Sequence, residues 1–230
     1  FCQTRSALGE NTHVILGVAP CLDGDVASWV NSLLAVAEEY NHFLTDGESQ
    51  GYFFSAVAAQ VNGNSFGPAA TYAGLAAGYP PQVDLTNKST GLTGLDLFLD
   101  DEQCRALADV GYVIFVPTVR RGIAVYRAVT MAAPDSSFCS FTDYRVAVDV
   151  VEDLKQLGQD YLGLPPAAAV TNAKIGEAIN QKLLAKVRAS VLRDYAFLFN
   201  YENNTVDLNL VLVPYSSASE IKVNTTIFLT

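Results

Sequence analysis

Two histidines, His13 and His42, set the first limit on the chemistry open to this chain. Proton transfer near neutral pH most often passes through an imidazole. His13 begins an apolar run and His42 ends a helical one, where a solitary imidazole is ordinarily a hydrogen-bonded or solvated side chain. Neither reads as a base. The cysteines, Cys2, Cys21, Cys104 and Cys139, are widely spaced with no C-x-x-C pair, so no zinc site is expected. They read as buried thiols in a reducing compartment. No G-x-x-x-x-G-K and no G-x-G-x-x-G is present to cradle a phosphate. The acidic pairs Glu38–Glu39 and Asp100–Asp101 fall on a helix face and a helix start, ordinary places for carboxylates. A small α/β hydrolase working through two carboxylates fits the spacing as an alternative, but nothing favours it. No catalytic residue, cofactor or metal is expected.

One stretch imitates a nucleophile. Residues 129–134, VTMAAP, are similar to the segment around the reactive serine of subtilisin-like proteases, with Thr130 at the serine position. A triad also needs a base held by a carboxylate. The His-Gly-Thr signature of those proteases is absent, because Val14 follows His13 and Phe43 follows His42. The segment reads as an echo without the chemistry.

Half of the 230 residues are apolar and only 17% are charged, enough to bury one sizeable core or two modest ones. Residues 1–119 carry three basic side chains (Arg5, Lys88, Arg105) against thirteen acidic ones, while residues 120–230 carry eleven of each sign. That split speaks against nucleic-acid binding, which needs a basic face. It suits either solubility or an acidic surface that meets a basic patch on a neighbouring copy. No run of eighteen apolar residues exists, so no membrane span is expected. The start reads as no signal peptide, and the missing initiator Met reads as a fragment or a processed piece. The sequons at Asn87, Asn203 and Asn224 then read as chance.

The elements follow from periodicity. Residues 13–19 read as a buried strand. Residues 24–41 read as a helix with Val26, Trp29, Val30, Leu33, Leu34 and Ala37 on one face, and 52–61 as a further apolar stretch. Strand, helix, strand points to an α/β unit. Residues 62–95 read as a long connection with some local structure near 69–77. Asp100 and Gln103 form a capping-box start to a helix ending by Gly111. Residues 112–116 read as a strand stopped by Pro117; a turn at Arg120, Arg121 and Gly122 leads into an antiparallel strand over 123–131. Thr142 reads as the cap of a helix over 143–158, Pro165–Pro166 as a break, and 172–195 as a second helix with Ile175, Ile179, Leu183, Val187 and Val191 on one stripe. Residues 205–214 and 220–230 alternate as strands. The expected class is α/β to α+β, a mixed sheet flanked by helices, with domains at 1–119 (acidic) and 120–230.

Four blocks follow one another along the chain: FGPAATYAGLAAGYPP (66–81), LTGLDLFLDDEQCRALADVGYVIFV (92–116), RRGIAVYRAVTMA (120–132) and FTDYRVAVDVVEDLKQLGQDYLGLPP (141–166). In that order they resemble contractile phage tail sheath proteins. LRDY (192–195), two strands and the Pro214-to-Glu220–Ile221 spacing close the layout. The likeness is one of spacing and residue type over about 160 residues. Val125–Tyr126–Arg127 replaces the family's Trp-Gly, and Thr86–Thr90 is a reduced loop, so the chain stands apart from the commonest sheaths.

The resemblance implies an inactive subtilisin-like core followed by a C-terminal α+β domain, built into a virion after assembly in the host cytoplasm. It implies hexameric rings stacked helically around a tail tube protein, between a baseplate and a tail terminator, that shorten to drive the tube through an envelope. The large sheath subunit of a type VI-like secretion or injection machine is the neighbouring alternative. It implies no small-molecule substrate, no nucleic acid and no membrane insertion. Subunits of such sheaths are joined by arms that add a strand to a neighbour's sheet, which is β-augmentation. The candidate donor here is 220–230, with Ile221, Val223, Thr225, Ile227 and Leu229 on one face, and the candidate acceptor is 205–214. The donor could equally be an ordinary strand of its own domain. An N-terminal arm is expected ahead of Phe1. The candidate basic contact face is Lys182, Lys186 and Arg188 on the 172–195 helix, facing a neighbour's acidic 1–119 surface.

Overall fold

The computed structural model describes residues 12–22, 24–39, 52–133, 135–160, 172–202, 205–215 and 221–228. It parts into two compact units, one ending at Thr142 and the other beginning at Asp143. The boundary expected at 119/120 falls instead inside a hairpin whose two strands are hydrogen-bonded to each other.

In the first unit β1 (Thr12–Gly17), β2 (Tyr52–Val57) and β3 (Tyr112–Val113) form a parallel sheet in the order β1-β2-β3. Parallel neighbours need crossovers. The first runs through α1 (Val26–Glu39), and the second through α2 (Phe66–Gly78) and α3 (Asp101–Asp109). Helix α1 begins where the Asp25 carboxylate accepts the Ser28 N–H at 3.0 Å, an N-cap. Its Trp29, Val30, Leu33 and Ala37 are buried with Cys104, Leu107 and Ala108 of α3 against Phe54, Ala56 and Tyr112. The Tyr112 hydroxyl donates to the Leu33 carbonyl (3.0 Å), and the Trp29 indole to the Ala19 carbonyl (2.8 Å), so this core leaves neither polar tip wasted. The capping box at Asp100 and Gln103 is present in both directions.

Residues of the opposite parity, His13 and Ser55, face the other side of the sheet, where Phe141 lies between His13 and Tyr72 of α2. Helix α2 is the local structure expected near 69–77, here a full helix within the long connection. Its alanines favour helix, but it buries only Pro68, Ala69 and Tyr72 and so carries no apolar stripe. Its leading Ser65 is no side-chain cap, because the hydroxyl donates to the Val18 carbonyl.

The 112–118 run divides at Ile114. Its first part joins the parallel sheet, and β4 (Phe115–Thr118) pairs antiparallel with β5 (Gly122–Val125). Pro117 therefore sits within a strand, which is tolerated because, among the described residues, β4 pairs with β5 alone and is an edge strand, while the far side of β5 bonds to residues 87–90. Strand β5 ends at Val125, short of the expected 131.

The second unit holds most of α4 (Phe141–Asp160), α5 (Asn172–Arg188) and an antiparallel meander of β6 (Leu192–Glu202), β7 (Thr205–Pro214) and β8 (Ile221–Phe228). Thr142 lies inside the first turn of α4, its hydroxyl reaching Asp84 at 3.5 Å, and is not the cap. Pro165 and Pro166 lie outside the described residues. Helix α5 stops seven residues before the expected 195. Ser190 takes φ +57°, its N–H donates to the Val187 carbonyl and that of Val191 to Lys186. This is a Schellman stop with serine where glycine is usual. Val191 is buried beyond that stop, and the chain turns into β6. In β7 Val206, Leu208, Leu210 and Leu212 are buried, opposite Tyr201, Phe199, Phe197 and Tyr195 of β6 in register.

Candidate assembly surfaces

Strand β8 aligns Ile221, Val223, Thr225 and Ile227 with Leu212, Leu210, Leu208 and Val206 of β7. The candidate residues therefore lie at the register positions of the apolar face, with Ile221 buried; Leu229 lies outside the described residues. One edge of β8 is bonded to its own chain, and among the described residues no strand covers the other. The strand expected to accept a neighbour's edge, 205–214, is the middle one, with both ladders filled by β6 and β8.

The basic face divides. Arg188 is exposed and Lys182 half-buried. Lys186 is 16% exposed, and its ammonium lies 2.5 Å from an Asp149 oxygen and 2.7 Å from one of Asp153, one turn apart on α4. Lys186 is thus a clamp between two helices of its own unit, not an outward contact. Burial alone lowers the pKa of this ammonium, but hydrogen bonds and charge from Asp149 and Asp153 outweigh it, and the net direction is up. The contribution is complete below the ordinary lysine value of 10.5 and is lost as pH rises through the higher folded value. Lys186→Met leaves two carboxylates facing each other and is expected to cost about 1–3 kcal/mol in urea melts, between the surface and fully buried limits. A loss no larger than that of Arg188→Met would show the clamp to be idle. Asp149 and Asp153, at i and i+4, were the signal for it in the sequence.

A serine and a histidine do meet. The His13 Nε2 lies 3.0 Å from Ser55 Oγ, and Ser55 donates its one proton to the Val129 carbonyl at 3.0 Å. His13 must then donate from Nε2, so the ring nitrogen facing the serine is not a base. Ser55 is fully buried, and burial pushes the His13 pKa down to about 3. This pair builds the core. Thr130 lines a cavity of about 550 Å³ with Asp84, Thr86, Asp109, Arg127 and Cys139. Its hydroxyl donates to the Phe138 carbonyl at 2.5 Å and accepts the Ala132 N–H at 3.2 Å, and the Asp109–Arg127 pair (2.8 Å) neutralises itself there. An apolar cavity of about 420 Å³ lies among Leu16, Leu33, Val36, Phe54, Tyr112 and Met131.

Cys104 and Cys139 are free thiols. Burial first, then the charges of Asp101 and Asp100, raises Cys104 to about 11, which leaves it unreactive. Among the described residues no His, Cys, Asp and Glu group could hold a metal, and no helix is long and apolar enough to cross a membrane.

No protein-family model and no curated protein matches this sequence. Solved structures do. The sheath tail protein of Desulfitobacterium hafniense superposes with a TM-score of 0.65 at 12% identity, over 99% of this chain and 58% of that one. The sheath tail protein of Listeria innocua gives 0.58 at 14% identity, over 97% and 58%. The sheath complex of an extracellular contractile injection system, PVC, in its contracted state gives 0.56 at 14%, over 94% and 60%. The chain therefore spans about three fifths of the solved chains it matches. Its fold is the fold of contractile tail sheath proteins.

Proposed function

We propose that this chain is the greater part of a structural subunit of a contractile sheath, one that polymerises with copies of itself and does no catalysis. The observation that carries the reading is the extent of the likeness, 99% of the chain at a TM-score of 0.65. Support comes from the interior as well: the residues that imitate hydrolytic chemistry, Ser55 and Thr130, are buried and hydrogen-bonded to backbone carbonyls. In this reading the first unit is an inactive subtilisin-like core. The subunits form hexameric rings stacked around a tail tube protein, between a baseplate and a terminator, in a phage virion or a phage-like particle.

Ring-to-ring joining would run through β8, whose outer edge is uncovered among the described residues. Shortening would carry rigid subunits from a metastable lattice to a lower one, with no nucleotide. The injection-machine alternative draws on the PVC match and predicts the same polymer. Negative-stain microscopy of the full-length product separates these readings from a hydrolase: rods or tubes are expected, and discrete particles at every concentration would overturn the proposal.

A further inference from the structure

The tip of the β4–β5 hairpin is built as a rigid knob. Thr118 Oγ1 donates to the Gly122 carbonyl at 2.9 Å and accepts the Arg121 N–H at 3.2 Å, closing the turn Val119–Arg120–Arg121. Outside the hairpin, Ser89 Oγ donates to the Arg121 carbonyl (2.9 Å), and the Arg121 guanidinium donates to the Asn87 carbonyl (2.5 Å). On this tethered turn Val119 is 106% exposed, and Arg120 and Arg121 are exposed beside it. An apolar side chain held fully in water by a fixed backbone contributes nothing to the fold. Its ordering cost on docking has already been met.

The same unit carries the opposite surface. Phe98 is 66% exposed, and Asp96, Asp100, Asp101 and Glu102 around it are all exposed. This stretch is also fixed. Leu97 and Leu99 pack on the core, the Asp96 N–H donates to the Gln60 carbonyl, an Asp96 oxygen accepts the Gly63 N–H, and the capping box holds Asp100. Among the described residues, no ion pair joins Arg120 or Arg121 to these carboxylates within the chain.

We infer that the Val119–Arg120–Arg121 knob of one copy docks on the Phe98 surface of a second copy, Val119 against the Phe98 ring and the arginines against Asp100, Asp101 and Glu102. The occupant is chosen by charge and shape: a basic knob with an apolar tip fits an aromatic patch rimmed by carboxylates. Two different patches make the contact heterologous, the kind that propagates as rings or helices instead of closing at a dimer. The inference rests on the sheath reading for the polymer, though not for the contact.

Charge exchange in the full-length product tests it. Arg120→Glu and the pair Asp101→Lys/Glu102→Lys are each expected to lower the sedimentable polymer at least tenfold, with far-ultraviolet circular dichroism unchanged. All three changes in one chain should restore it. Wild-type assembly in the single variants, or no recovery in the combined one, would overturn the contact. If the unaltered chain makes no tubes, the sheath reading fails on its own. Sedimentation velocity then reads the contact directly: association that either variant abolishes and the combination restores supports it, and a monomer at all concentrations ends it.

Discussion

Gly111→Ala is expected to destabilise the first unit by about 3–5 kcal/mol, near the upper end of what one substitution does. Two causes act together. The residue takes φ +97°, a conformation that L side chains rarely adopt. A Cβ there would stand 2.5 Å from the Thr130 carbonyl oxygen and 2.9 Å from the Met131 Cα, both backbone atoms that cannot swing away. Met131 in turn donates its N–H to the Phe54 carbonyl of β2, at 2.9 Å. Glycine at 111 is what lets the 129–131 segment lie against the sheet. Urea melts should show the transition of the first unit moved or lost, and Gly94→Ala, where a Cβ meets nothing within 4 Å, supplies the control. Equal stability of the two variants would show that the close approach is not needed.

Acid is the second large lever. His13 is partly buried and neutral, its pKa pushed down by desolvation to about 3 from 6.5, so the unfolded chain takes up a proton that the folded chain refuses. A lowered folded value makes stability fall as pH drops from about 6.5 towards 3, by about 1.4 kcal/mol per pH unit attributable to this group. The total is on the order of several kcal/mol. His13→Gln keeps a donor for Ser55 and removes the titration. Melts at pH 7, 5.5 and 4.5 should show a steeper acid loss in the unaltered chain than in the variant. Parallel losses would place the acid sensitivity elsewhere.

Where local signals agreed, the sequence was a sufficient guide. The α1 face, the Asp100–Gln103 box and the β7 alternation each rest on a period or a cap that neighbouring residues set. The failures have a common physical form, in which a single contact beyond the segment decides the outcome. Helix α2 has no stripe to read because Tyr72 is its one large fully buried side chain. The α5 stop hid because serine, not glycine, takes the left-handed turn, and Val191 prolonged the four-residue spacing past it. Pro117 looked like a terminator because nothing local says that its strand lies at an edge. At the candidate surfaces, residue type alone suggested a cationic face on α5. That Lys186 turns inward depends on Asp149 and Asp153, 37 and 33 positions earlier.

The pairing of β8 with its own β7 bears on timing. If this strand is the one passed to the next copy, it must first peel away from an eight-residue ladder that it already satisfies. Growth of the polymer then becomes an activated event: free subunits stay latent in solution, and elongation waits for a template whose open end lowers the barrier to unzipping.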